Sequence, residues 1–157
     1  MAIGIDDTIP KFGTQDNIDN GSTAVITNGS FSVLADITPW TNDEDAPFAS
    51  FVGKFRFDTA MPTVGSIDLY VRLLNIDGTN EPNVPNDSYV SVYIGTFKID
   101  FSVAFDVDFF TTIENAVLPL FQTSQIHEFY IRNNGTGQTI GINWMIKITP
   151  YTFGPKA

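Results

Sequence analysis

The chain has 157 residues, no cysteine and a formal net charge of −10, with 43% hydrophobic and 17% charged residues. That length suits one domain, and a domain of this size buries roughly 70% of the surface its unfolded chain exposes. The missing cysteines exclude disulfides, thiolate metal sites and cysteine nucleophiles, and the acidic balance disfavours nucleic acid, whose phosphates need clustered Lys and Arg.

Lys54 and Arg56 are the closest basic pair, and Asp58 stands beside them. No run approaches the roughly 20 apolar residues of a membrane span. The first residues, Met1-Ala-Ile-Gly-Ile-Asp-Asp, lack a cationic start and an apolar stretch, so folding in a cytoplasm is expected, without a membrane partner.

In chain order, residues 1–20 are polar, carry Pro10 and Gly13, and read as an extended N-terminal arm. Such an arm either wraps a neighbouring subunit or frays. Residues 21–157 read as a single domain. A weak strand over 23–27 leads through Asn28-Gly29 into another over 30–38, where Phe31, Val33, Ala35 and Ile37 share one face. Trp40 precedes an acidic loop at 41–47.

Over 51–57, Phe51, Phe55 and Phe57 point one way and Lys54 and Arg56 the other. Over 66–75, Ile67, Leu69, Val71 and Leu73 oppose Asp68 and Arg72. A polar loop with Pro82 and Pro85 fills 77–88. In 89–99, Val90, Val92 and Ile94 point inward, but Phe97 and Ile99 have the opposite parity, which predicts a bulge near Gly95.

Residues 101–109 set Phe101, Val103, Phe105, Val107 and Phe109 against Ser102, Asp106 and Asp108. Residues 111–125 hold at most a helical turn, limited by Pro119. Two more strands follow, 126–133 with Phe129 and Ile131, and 140–148 with Ile140, Ile142, Trp144, Ile146 and Ile148. Asn20-Gly21, Asn28-Gly29, Asp77-Gly78 and Asn134-Gly135 supply turn chemistry. About eight strands with such punctuation predict an all-β fold, an antiparallel β-sandwich that is jelly-roll-like.

Chemistry is sparse. The single histidine, His127, shares the parity of Phe129 and Ile131, and no Gly-x-Ser-x-Gly elbow accompanies it, so packing is its expected role. Asp106 and Asp108 have roughly the spacing of a retaining glycosidase pair, but outward aspartates are ordinarily solvated charge. Asp43, Glu44 and Asp45, or Asp77, Asn80, Glu81, Asn86 and Asp87, offer oxygen ligands without the EF-hand spacing. The sequons at Asn20, Asn28, Asn86 and Asn134 read as turns. Trp40, Tyr70, Tyr93 and Tyr151 could form a sugar platform, with Tyr70 its best exposed ring by parity, whereas Trp144 has core parity. No catalytic, cofactor-binding or metal-ligating residue is assigned, and a non-enzyme without cofactors is expected.

Three stretches carry a resemblance: Ile9-Pro10-Lys11-Phe12-Gly13-Thr14-Gln15; Asp68-Leu69-Tyr70-Val71 leading through Asp77-Gly78-Thr79-Asn80 to Tyr93-Ile94-Gly95-Thr96-Phe97; and Glu128-Phe129-Tyr130-Ile131-Arg132-Asn133-Asn134-Gly135-Thr136-Gly137. The chain here resembles small virion structural proteins of tailed bacteriophages. The resemblance implies a compact β-sandwich on a phage particle, either a head decoration (cement) protein that binds and stabilises the assembled capsid or a tail-associated one.

Its implied partners are the major capsid protein or other virion proteins, together with copies of itself, a trimer being one form that suits a capsid axis. Its implied location is the virion, after synthesis in the host bacterial cytoplasm. The wealth of phenylalanine, with Phe109-Phe110 and Leu118-Pro119-Leu120-Phe121, departs from that group and suggests an extra apolar contact surface. The alternative functions are a carbohydrate-binding module using Tyr70, Trp40 and the 77–88 loop, and a tail-associated receptor-facing protein.

Overall fold

Strands with bulky apolar groups at every second position bury them when two sheets face each other. The computed structural model describes residues 8–74, 81–86, 88 and 92–155. Their elements are β1 (Thr8–Phe12), β2 (Asp16–Gly21), a 3-10 turn (Leu34–Asp36), β3 (Trp40–Thr41), β4 (Phe48–Phe55), β5 (Ser66–Leu74), β6 (Val92–Phe97), β7 (Phe109–Val117), β8 (Ile126–Asn134) and β9 (Trp144–Pro155). A five-stranded sheet runs β1-β9-β4-β7, with β2 also on β9, and a four-stranded sheet runs β3-β8-β5-β6. All pairings are antiparallel. From β2 onward the chain changes sheet at every connection except β5 to β6. The fold is an all-β sandwich.

Of the segment read as an arm, residues 8–20 lie extended on the chain's own β9, β1 against its far end and β2 against its beginning. In β4, burial alternates at every residue, placing Ala49, Phe51, Gly53 and Phe55 inside. Phe51 meets Phe129 of the opposite sheet at 5.1 Å, and Phe55 meets Phe97 at 5.3 Å, both edge to face. Such pairs add about 0.5–1.5 kcal/mol each beyond their burial. The β5–β6 register slips between Leu69–Gly95 and Tyr70–Tyr93, so the bulge expected near Gly95 falls at Ile94. Gly95 then faces β7, where a Cβ would lie 2.8 Å from Ile113 Cγ2.

Three expected elements are different. Residues 101–109 are not a strand until Phe109: Phe101, Phe105 and Val107 are exposed, Asp106 has φ 61°, and its N–H donates to Phe57 O at 2.7 Å. That left-handed residue turns the chain, so of the alternating set Phe109 enters the core and Val103 packs against it, while the other three stay in solvent. In place of a helical turn after 111 stands β7, whose alternation is interrupted by a bulge at Asn115, φ 57°. The proposed strand 30–38 splits between both sheets. Ser32 donates its N–H to Ile131 O at 2.8 Å, whereas Thr38 donates to Ile18 O at 3.0 Å, with the 3-10 turn between them.

Among the turns, Gly29 and Gly135 do take positive φ. Asn28-Gly29 does not join a hairpin, because Ile26 bridges Ile140 while Phe31 bridges Arg132. Asn20-Gly21 lies within β2, where the glycine serves packing, since a Cβ there would fall inside the Trp144 indole. Asp77-Gly78 and Val90 lie outside the described residues, and Val92, expected inside, is exposed.

Gly21→Ala should therefore lower stability by about 1–3 kcal/mol through overpacking. Gly29→Ala meets open space and bears only the left-handed backbone cost, about 1 kcal/mol. Urea midpoints of the two variants check that order.

Candidate functional site

His127 is buried on β8, stacked on Phe129 at 5.8 Å and beside Trp40 at 5.6 Å. Its Nε2 lies 2.9 Å from Pro119 O and its Nδ1 3.1 Å from Gln125 O. Burial holds the imidazole below its ordinary pKa, outweighing the two carbonyls. A neutral ring can donate to one of them only. With both nitrogens turned to backbone, the ring braces the 118–125 loop and offers no substrate a base.

Asp106 and Asp108 do not sit together on a strand face. Each lies beside a cation extending from the end of β4, Asp106 Oδ1 3.5 Å from Arg56 Nε and Asp108 Oδ2 3.9 Å from Lys54 Nζ. In the acidic loop, Asn42 is fully buried and both donates to Ala46 O and accepts Ala46 N–H at 2.9 Å. Asp45 accepts the Ser124 N–H at 2.7 Å. Among the described residues no group of three or more His, Asp or Glu converges as metal ligands would. Asp77, Asn80 and Asp87 lie outside the described residues.

The four candidate sugar-binding rings are not a platform. Trp40 and Tyr151 are buried, and Trp40 Nε1 donates to Asp16 at 2.9 Å. Tyr70, expected to be exposed, is covered by Phe31 at 5.4 Å, and Arg132 stacks over that ring at 5.3 Å. Tyr93 alone of the four is open to solvent.

Tyr70 belongs to a polar layer on the outer face of the four-stranded sheet. There Arg72 on β5 pairs with Glu128 on β8, and Glu128 also accepts the Tyr130 hydroxyl at 2.9 Å. Burial and that carboxylate hold the Tyr130 phenol well above its ordinary pKa. Asp68 accepts from Ser66, Thr96 and Asn134, each at 2.8 Å. This layer is internally satisfied, and residues 29–32 close over part of it. Asp19 is the exception: Oδ1 takes the Thr38 N–H at 3.3 Å, but buried Oδ2 has no partner among the described residues. Desolvation raises its pKa well above normal, helped by Glu128 and Asp36.

The outer face of the five-stranded sheet is different. Cross-strand registers place Phe12, Tyr151, Phe48 and Val117 in one row, with Pro10 beside Phe153. Tyr151 contacts Phe12 at 5.4 Å, Phe48 at 5.5 Å and Phe153 at 5.8 Å. Phe12 is 66% exposed, Phe153 54% and Val117 66%. At the opposite end of this face Phe110, 69% exposed, aligns with Lys54 and Met145. A free phenylalanine exposes roughly 200 Å², so Phe12 and Phe153 together leave roughly 240 Å² open beside Val117, the few hundred Å² of a contiguous apolar patch, and Phe110 stands apart from it.

Comparison with protein-family models and with the curated proteins finds no match.

Two of these residues were within reach of the sequence: Tyr151 and Phe153 have the parity of Lys147, opposite to Trp144 and Ile146, which marks them as outward. Of the stretch suspected as an apolar surface, Phe109 and Leu118 are in the core, while Phe110 and Phe121 (77% exposed) face solvent.

The two displaced acid–base groups predict opposite pH effects. His127 is depressed, so below about pH 6.5 the unfolded chain binds more protons and stability falls with acidification. Asp19 is raised, so the folded chain binds more protons between the ordinary carboxylate value and its own, and stability falls as pH rises through that window. Asp19→Asn should raise stability at neutral pH by about 1–2 kcal/mol, an advantage lost towards pH 3. His127→Gln should flatten the acid-side loss. Denaturant titrations across pH check both.

Proposed function

We propose that this chain is a non-enzymatic virion structural protein of a bacteriophage, a head decoration protein that binds and stabilises the assembled capsid. The observation that carries the reading is the aromatic cluster on the outer face of the five-stranded sheet, where exposed Phe12 and Phe153 and half-buried Phe48 pack around Tyr151. Such a patch is built for protein contact, whereas the shallow hollow at Ser30, Phe31, Ser32, Pro85 and Asn86, about 270 Å³, lacks a positioned acid, base or nucleophile.

The wiring is read as a jelly roll. The orders β2-β9-β4-β7 and β3-β8-β5-β6 support this, because they interleave early and late strands as two Greek keys do. Viral capsid domains and lectins both use that architecture, so it supports the class and does not choose the role. Trp40, Tyr70 and Tyr151 are covered and lend the sugar-binding alternative no support, while Tyr93 stays open and most of the 77–88 loop lies outside the described residues. No helix among the described residues is long and apolar enough to cross a membrane.

Work of this kind needs shape and contact area rather than a reactive group. Binding to the assembled shell stabilises it by linkage, and repeated contacts add avidity. Quantitative mass spectrometry of purified particles should find the chain in stoichiometric copy number, and particles lacking it should release genome at lower temperature. Its absence from particles would remove the virion role. Equal thermal stability with and without it would instead assign it to the tail.

A further inference from the structure

We propose that the outer face of the five-stranded sheet docks a partner protein that presents carboxylates around an apolar side chain. This rests on the contact role proposed above and specifies the partner's chemistry.

The first support is the form of the sheet. β4 pairs with β9 only as far as Tyr151, so residues 152–155 continue with 8–11 of β1 as a two-stranded ribbon. A two-stranded ribbon is marginal in water by itself. On the outer face it carries exposed Phe12 and Phe153, the residues that a docked surface would cover.

The second is charge. The chain has 18 acidic and 8 basic residues, yet the paired rows of this face contain no carboxylate, and Glu114 stands exposed beside them in the β7 bulge opposite Ser50. The rows read Phe12–Tyr151–Phe48–Val117, Pro10–Phe153, Thr149–Ser50, Asn17–Lys147–Val52–Thr112 and Asn20–Met145–Lys54–Phe110. Their charged members are Lys54 and Lys147, and Asp108 approaches Lys54 from the rim at 3.9 Å. The end of this face around Lys54 and Lys147 is thus cationic and apolar in a strongly acidic protein, the complement of an acidic surface.

The third is a recess between those lysines. Gln15, Val52, Lys54, Phe110, Met145 and Lys147 enclose about 240 Å³. Its floor is apolar and its rim cationic, so it receives an apolar side chain flanked by carboxylates.

A second copy fits less well, because a two-fold face-to-face contact would oppose lysines with lysines across the recess. Nucleic acid needs a denser basic cluster than two lysines on a chain of charge −10.

The test passes the full chain over an immobilised peptide of alternating glutamate and phenylalanine, with lysine–phenylalanine and polyglutamate peptides as controls. The chain should be retained on the first alone, and less so as salt rises. The double variants Lys54→Glu/Lys147→Glu and Phe12→Ser/Phe153→Ser should each weaken retention at least about tenfold, a change of the size expected for losing contacts at an interface centre. Unchanged near-ultraviolet circular dichroism would exclude misfolding as the cause. No retention of the wild type, equal retention on the lysine peptide, or variants that bind like wild type would overturn the proposal. So would self-association abolished by the same substitutions, which would make the occupant a second copy. Co-sedimentation with particles separates the two levels. Variants that bind particles like wild type leave the virion role and remove this surface, whereas a wild type that never binds particles removes the virion role and leaves the peptide result to decide the surface.

Discussion

The architecture depends on β9. This twelve-residue strand holds β2 and then β1 along one edge and β4 along the other, so three neighbours share its register. Its inward residues Trp144, Ile146 and Ile148 are fully buried, and Trp144 fits only because Gly21 opposite has no Cβ. A one-residue slip would put Met145 and Lys147 into the core and Trp144 into water. With that register fixed, the outward positions follow, and Tyr151 and Phe153 emerge beside Phe12 and Phe48.

The two outer faces have different fates. The crossing segment 29–38 leaves β8 for β2 and lays Phe31 over Tyr70, so the four-stranded sheet is partly roofed by its own chain. Beneath that roof the Arg72–Glu128–Tyr130 and Asp68 networks use their hydrogen bonds on one another. A buried ion pair of this sort contributes more to defining one arrangement than to net stability, since desolvation offsets its attraction. The five-stranded sheet has no comparable cover among the described residues. Its apolar rings stay in water, a cost the folded monomer bears without return unless another surface meets them.

Much of this was legible in the sequence because strict alternation survives wherever a strand has one buried face. Residues 51–57, 66–75 and 126–133 lie close to β4, β5 and β8, and the parity change at Gly95 located a real bulge. Alternation misled at 101–109, where Asp106 in the left-handed region turns the chain away from any sheet. It was hidden at 109–117, where the bulge at Asn115 breaks the period and made a strand resemble a helical turn. Parity correctly put Tyr70 on an outer face but could not foresee Phe31 above it, a contact made across a long separation in sequence. The candidate surface suffered the same limit: parity identifies outward aromatic residues, but only the cross-strand registers bring Phe12, Phe48 and Phe153 around Tyr151.

On the proposed reading the five-stranded sheet presents the working surface. Hydrogen–deuterium exchange of the protein free and bound to phage heads tests it most directly. Binding should slow exchange in β1, in β7 and in the 152–155 end of β9, while the outer-face segments 29–32 and 92–97 of the opposite sheet keep their free rates. Protection confined to 29–32 and 92–97, with the β1–β9 ribbon unchanged, would contradict it.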